Sequence, residues 1–230
     1  MTTLVLTIRP EPGCSATVRV GRLAGIPIEG CPLFEILPLA WKPPDPRRID
    51  ALLLGSANAV RHGGPGLDLF RDKPVHAVGS ATAREAEKAG FTVADAGRGG
   101  MQRILDAVRP PATLLRLAGR ERMTLSPPLG VVMETRAVYE SVPLPLPVEW
   151  VTALAAGGLV LLHSAAAARH FAAECDRCGV PRGEIALAAL GPRIAAAAGD
   201  GWRVVRAAVE PREAALLALV RDLCHELRPR

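Results

Sequence analysis

The sequence predicts an α/β chain of two similar units, each built on a parallel sheet, and three observations carry that prediction. The first is the stretch from Asp50 to Arg61. The apolar run Ala51 to Leu54 stops at Gly55 and Ser56 and restarts as the small-residue segment Ala57 to Val60. A short apolar run closed by a small-residue turn reads as a strand buried on both faces. Ser56 or Asn58 can then cap the helix that follows, by accepting its free N–H groups. The second observation is that this piece recurs. Leu159 to Arg169 has the same apolar run and helix start, and its turn residue, Ser164, lies about 110 residues after Ser56. Gly79 and Gly191, Thr3 and Thr113, and Trp41 and Trp150 keep nearly the same spacing, so the chain reads as one α/β unit duplicated. The third is a pair of extended, proline-bearing passages, Ile28–Leu39 and Thr135–Pro147, again about one period apart. Two such passages imply two domains, one of them discontinuous: 41–135 in the middle of the chain, 1–35 with 146–230 at its ends, and linker strands at 28–40 and 135–147.

Each element has a local reason. Thr3 to Thr7 is an apolar strand, and Cys14 to Leu23 is a helix stopped at Gly25. Pro27, Pro32 and Pro38 keep the next stretch extended, and Lys42 to Pro46 is a stiff connector. After the strand 51–54 and its helix, Val75 to Val78 is a strand, Gly79 a turn, and Thr82 with Glu85 a capping box. Strands follow at Thr92–Ala94 and Thr113–Ala118, with a helix at Met101–Val108 between them. Gly119 to Arg122 opens a further turn and helix, and Val131 to Val142 is extended. The second unit repeats the order: a helix from Glu149, strand Leu159–Leu162, helix Ala165–Cys175, strand Ile185–Ala189, helix Arg193–Ala198, strand Arg203–Arg206, and a last helix from Arg212 to Leu227.

Composition narrows the class. Nearly half of the 230 residues are hydrophobic, which excludes a disordered chain. The net charge of +5 comes almost wholly from arginine and suits an anionic ligand, although the abundance of Arg and Ala also fits a GC-rich genome. Five cysteines, an odd number in a chain too long to need disulfides, point to a reducing compartment. Cys175 and Cys178 have the spacing of a metal or redox pair. Cys14, Cys31 and Cys224 supply no second pair, so they read as two packed thiols. Met1 to Leu6 has no basic start or cleavage site of a signal peptide. The apolar stretch Val151–Ala168 is broken by Gly157 and Gly158, so it reads as helix, turn and strand rather than a membrane span. A cytoplasmic protein follows, with no membrane and no nucleic acid as partner. No glycine fingerprint follows a strand, which argues against a dinucleotide enzyme.

Taken in order, Arg9 to Gly13, Ser56 to Val60, Ala77 to Thr82 with Ala89 to Phe91, Leu117 to Gly119, Val138 with Tyr139, His163 with Ser164, and Leu190 to Pro192 with Gly201 and Trp202 resemble the uroporphyrinogen-III synthase family. The resemblance runs nearly end to end. It implies two flavodoxin-like α/β domains joined by a two-stranded linker, with the active site in the interdomain cleft. It also implies a lyase of tetrapyrrole (heme) biosynthesis that takes linear hydroxymethylbilane, expels water and closes the ring with the fourth pyrrole inverted. The family uses no metal or prosthetic group. A monomer is expected, with transient contact with the preceding enzyme of the pathway.

The resemblance places substrate contacts at Arg9, Ser56, Ala57, Asn58, Gly79, Thr82, Ser164 and Gly191. Helix N-termini there offer N–H groups and positive dipole ends to a polycarboxylate, so capture would be largely main-chain. Five of these positions have a plainer alternative. Ser56 and Ser164 are turn residues, Thr82 a helix cap, and Gly79 and Gly191 turn formers. Tyr139, the only tyrosine, is the candidate proton donor to the departing hydroxyl, against an ordinary strand aromatic. Ile8 and Gly55 stand where the family often carries hydroxyl residues, and the second repeat carries Ile194 where the first has Thr82, which again favours main-chain recognition. His163 and Ser164 are neighbours facing opposite ways and form no catalytic pair. The reading from a different class is a non-catalytic two-domain protein that binds a small anion.

Overall fold

The structure, a computed structural model, describes residues 3–97 and 100–227. Eleven strands and nine α-helices follow one another along the described residues, with two short 3-10 turns among them. The first strands are β1 (Val5–Thr7), β2 (Ile28–Gly30) and β3 (Phe34–Pro38), with α1 (Gly13–Leu23) between the first two. Then come β4 (Ala51–Leu54), α2 (Ala57–Arg61), α3 (Gly64–Asp68), β5 (Val75–Val78), α4 (Ser80–Lys88), β6 (Val93–Gly97) and α5 (Met101–Asp106). Next are β7 (Ala112–Gly119), β8 (Val131–Pro143), α6 (Val148–Ala155), β9 (Gly158–Leu162) and α7 (Ala165–Cys178). The chain ends with β10 (Ile185–Ala189), α8 (Pro192–Ala197), β11 (Val204–Ala207) and α9 (Glu213–Glu226).

The chain divides into two compact units. One holds residues 1–35 and 142–230, the other 36–141. The first carries a five-stranded sheet in the order β2-β1-β9-β10-β11, with every ladder parallel. The second carries a six-stranded sheet in the order β3-β8-β7-β4-β5-β6, parallel from β8 to β6. The sequence repeat pairs β1 with β7, β4 with β9 and β5 with β10. Under that pairing β2-β1-β9-β10-β11 and β8-β7-β4-β5-β6 are the same order. The two copies of the repeat therefore contribute crosswise: β4 to β6 of the first copy pair with β7 and β8 of the second, while β1 and β2 pair with β9 to β11.

Alternation along each central strand explains why both faces are covered. On β4, Leu52 and Leu54 pack with Phe70, Ala77, Ala83 and Leu117, while Ala51 and Leu53 pack with Ile104, Leu105 and Leu114 on the opposite face. On β9, Val160 and Leu162 meet Phe171 of α7, while Leu159 and Leu161 meet Leu216 and Val220 of α9. A run buried at every position, as in both strands, is what helices on both faces of a parallel sheet require.

Two local expectations are corrected, and a third is divided into its parts. The helix predicted from Gly119–Arg122 does not form, and 120–130 carries neither helix nor strand. Arg122 Nη1 donates to the carbonyls of Gly119 and Arg120, and Arg116 Nη1 to that of Met123, so acceptors a helix would need are taken. Pro127 and Pro128 then close the stretch to helix. Thr82 is not a cap: α4 begins at Ser80 after Gly79, which places Thr82 inside the helix and buried. The extended stretch Ile28–Leu39 is two strands belonging to different sheets, β2 and β3, separated by Cys31 to Leu33.

Candidate functional site

In an open α/β sheet, ligands bind beyond the carboxyl ends of the strands where the strand order reverses direction. Each unit has one such place. In the six-stranded sheet it lies between β4 and β7, and in the five-stranded sheet between β1 and β9.

Between β4 and β7 there is a pocket of about 160 Å³. Gly55 and Ser56 line it from the end of β4, Arg116 and Gly119 from β7, Tyr139 from β8, and Met101 from α5. Leu117, Ala118 and Leu125 make much of its wall apolar, and Glu121, Arg122 and Met123 complete it from the irregular segment after β7. Ser56 is the N-cap of α2, its Oγ accepting from the N–H of Asn58 at 3.2 Å. Tyr139 is held by its backbone: it pairs with Gly119 at an irregularity in the β7–β8 ladder, and its carbonyl accepts from Arg120 N at 2.8 Å. Its half-buried ring lies against His62 with centroids 6.2 Å apart.

Arg116 is the residue the sequence reading missed. It sits within β7 at 3 % exposure, and its five N–H groups make one hydrogen bond, from Nη1 to the Met123 carbonyl at 2.9 Å. Its Nε is buried without a partner, and no carboxylate of the described residues pairs with it. Burial, then the neighbouring Arg122 charge, makes the Arg116 cation less favourable than usual. The signal was an arginine inside an otherwise apolar strand, Leu114 to Ala118.

At the equivalent edge of the five-stranded sheet, Arg9, Thr17, His163 and Glu213 form a polar cluster. Glu213, the first residue of α9, accepts from Thr17 Oγ1 at 2.6 Å and from Arg9 Nη1 at 3.3 Å, and lies 3.2 Å from His163 Nε2. Burial pushes the Glu213 carboxyl up, but its bonds to His163 and Thr17 and the charges beside it outweigh that and hold it below the usual range. His163 Nδ1 and Thr7 Oγ1 are buried without partners. Arg9 is thus engaged with an internal carboxylate. Ser164 caps α7, its Oγ accepting from Ala167 N at 3.1 Å, while the preceding His163 turns to Glu213.

Of the sequence-predicted residues, Ser56 and Tyr139 line one pocket, and Ala57 and Asn58 follow Ser56 in α2. Asn58 Oδ1 is taken by Arg61 at 3.1 Å. Gly79 precedes α4 at φ 80° and ψ 151°, a conformation essentially confined to glycine. Gly191 precedes α8 at φ −171°, where any residue fits, so its turn does not require glycine. Arg9, Ser164 and Gly191 belong to the other unit. A larger hollow, about 490 Å³, lies beside α1 and the end of β2, and none of the predicted site residues lines it. Cys175 is buried, its thiol pushed up to about 12 chiefly by burial, and all five cysteines are unbridged. Among the described residues no group of three or more His, Cys, Asp or Glu is placed to hold a metal, and no helix is long and apolar enough to cross a membrane.

Comparison with known proteins meets this geometry. The structure superposes on the uroporphyrinogen-III synthetase of Helicobacter pylori with a TM-score of 0.65 at 18% identity, covering 96% of this chain and 99% of the other. It superposes on a mutant uroporphyrinogen III synthase of Thermus thermophilus with a TM-score of 0.55 at 15% identity, covering 97% and 99%. At such identities the likeness establishes the two-sheet α/β fold. No curated protein matches in sequence. The family model described as uroporphyrinogen-III synthase HemD matches residues 16–218, a span that takes in every sequence-predicted site residue except Arg9. The duplicated α/β pattern and the match over most of the chain agree: this protein belongs to the uroporphyrinogen-III synthase family, whose members are enzymes of tetrapyrrole synthesis acting on hydroxymethylbilane.

Proposed function

We propose that the chain performs the family reaction as a cyclising hydro-lyase, and that water leaves the substrate at the pocket between β4 and β7. The observation that carries this reading is the meeting of Ser56, Arg116 and Tyr139 around a largely apolar hollow at a reversal of strand order. Loss of water from hydroxymethylbilane breaks a carbon–oxygen bond, and the departing oxygen needs a proton. The Tyr139 hydroxyl is the donor in this reading. The cation left behind is attacked by the fourth ring at the α-carbon that already carries the bridge from the third ring. That older bridge bond then breaks, and its methylene, now the cation, is captured by the ring's free α-carbon, which inverts the ring. The proton lost from the free α-carbon restores the phenol, so one water leaves and no net proton is consumed. Excluding water from the apolar wall protects the cation from being hydrated back to substrate. Main-chain N–H groups at the starts of α2 and α4 hold carboxylates of the same substrate, and precise holding selects the inverted closure over the direct one.

The same reading has the protein working as a cytoplasmic monomer without metal or cofactor. It takes its labile substrate from the preceding enzyme by transient contact. The test is incubation with enzymatically made hydroxymethylbilane followed by separation of the isomers. Type III product at a rate proportional to protein is expected. Type I alone, at the rate seen without protein, overturns the reading.

A further inference from the structure

We infer that Arg116 is a specificity residue that seats one carboxylate of the substrate in the pocket between β4 and β7. This rests on the proposed function and goes beyond main-chain capture, because it assigns a side chain to the recognition.

Four observations carry it. Arg116 lines a real cavity, together with Ser56 and the candidate donor Tyr139. It is almost wholly buried, has no carboxylate partner among the described residues, and makes a single hydrogen bond through Nη1, which leaves its Nε edge unpaired. That edge of a guanidinium forms the planar fork that takes a carboxylate through two parallel bonds. The fold does not need an arginine there. Arg116 pairs with Leu53 and Thr7 with Leu161, and the two leucines are equivalent in the repeat, so the other unit fills the same ladder position with a threonine. Finally, a buried cation without its counter-charge destabilises the folded chain. The arrangement becomes favourable when an anion enters, which is the usual trade of stability for function at a binding site.

The test compares wild type with Arg116→Met and Arg116→Lys. The measurements are steady-state kinetics on hydroxymethylbilane, isomer ratio, calorimetric binding of uroporphyrinogen III kept reduced under anaerobic conditions, and thermal midpoint. Arg116→Met removes an unpaired buried charge, so its midpoint should equal or exceed that of wild type. Its KM and its product Kd should each rise at least tenfold, the loss expected for one charge-assisted hydrogen bond, with kcat changed less. Arg116→Lys keeps the charge without the fork and should raise the product Kd at least threefold. Should Arg116→Met fail to fold, that result alone marks Arg116 as structural and overturns the inference. KM and Kd within twofold of wild type in either variant also overturn it. A wild-type protein that makes no type III product overturns the functional reading instead, and the two failures are told apart by that control.

Discussion

Tyr139 lies across Gly119: a Cβ built on Gly119 would stand 2.9 Å from Cε2 and 3.0 Å from Cζ of the tyrosine ring. The absence of a side chain at the end of β7 is what lets the ring reach the pocket from β8. The phenol's position is therefore set by two strands, β7 through its missing side chain and β8 through its ladder pairing.

Replacing that glycine tests the relationship. Gly119→Ala forces the ring to move, and overpacking of this kind costs about 1–3 kcal/mol. Turnover should fall at least tenfold while circular dichroism stays native. Unchanged turnover would separate the ring's position from catalysis.

Tyr139→Phe keeps the ring beside His62 and over Gly119 but removes the hydroxyl. General acid assistance contributes ~10²–10⁴-fold. The variant should keep the wild-type melting midpoint, lose at least tenfold in kcat, and release some type I isomer as substrate closes unaided. Near-normal turnover to pure type III would assign the proton to another group.

The two glycines matched by the repeat should respond differently. Gly79 sits at φ 80°, and a methyl group added there would meet nothing within 4 Å, so Gly79→Ala meets backbone strain alone, worth about 1–3 kcal/mol. Gly191 is extended, with equally open space, so Gly191→Ala should be near neutral. Thermal unfolding checks both: at ~2–4 °C per kcal/mol for a chain of this size, only the first midpoint should drop.

Glu174 ties the exit of β8 to α7. Its carboxylate accepts from the buried N–H of Leu146 at 2.7 Å and pairs with Arg177 at 2.6 Å. The Arg177 hydrogen bond, against the opposing effect of burial, brings its pKa from 4.5 down to about 2. Because the folded value lies below the unfolded one, the stabilisation is complete above about pH 4.5 and disappears as pH falls towards 2. Acid titration of stability should show this loss, and Glu174→Gln should flatten it. An identical acid limb in the variant would exclude Glu174 as its source.

Chelation gives a separate check. Among the described residues no metal-ligand cluster occurs, and Cys175 is a buried thiol held protonated. Turnover measured after EDTA treatment and gel filtration should match the untreated enzyme. Activity lost with the chelator and restored by zinc would contradict this.

Much of this protein is written locally. The runs at β4 and β9, the serines that cap α2 and α7, the duplication and the place of Tyr139 on an extended strand all rest on signals within a few residues or on a simple period. Strand periodicity and cap chemistry depend on neighbours in sequence, so they are legible there. What the tertiary structure alone decided is partnership across distance. The repeat and the two extended passages say which stretches share a unit, but not that β4 lies directly beside β7 and β1 beside β9 in the sheets. Glu213 meets Arg9 from the far end of the chain, where neither residue carries any mark of the other. The burial of Arg116 without a counter-ion follows from the helix and irregular segment that cover its strand, not from the strand. Burial and pairing of this kind are set by which surfaces must leave water together, a property of the whole packed sheet that no single window of residues contains.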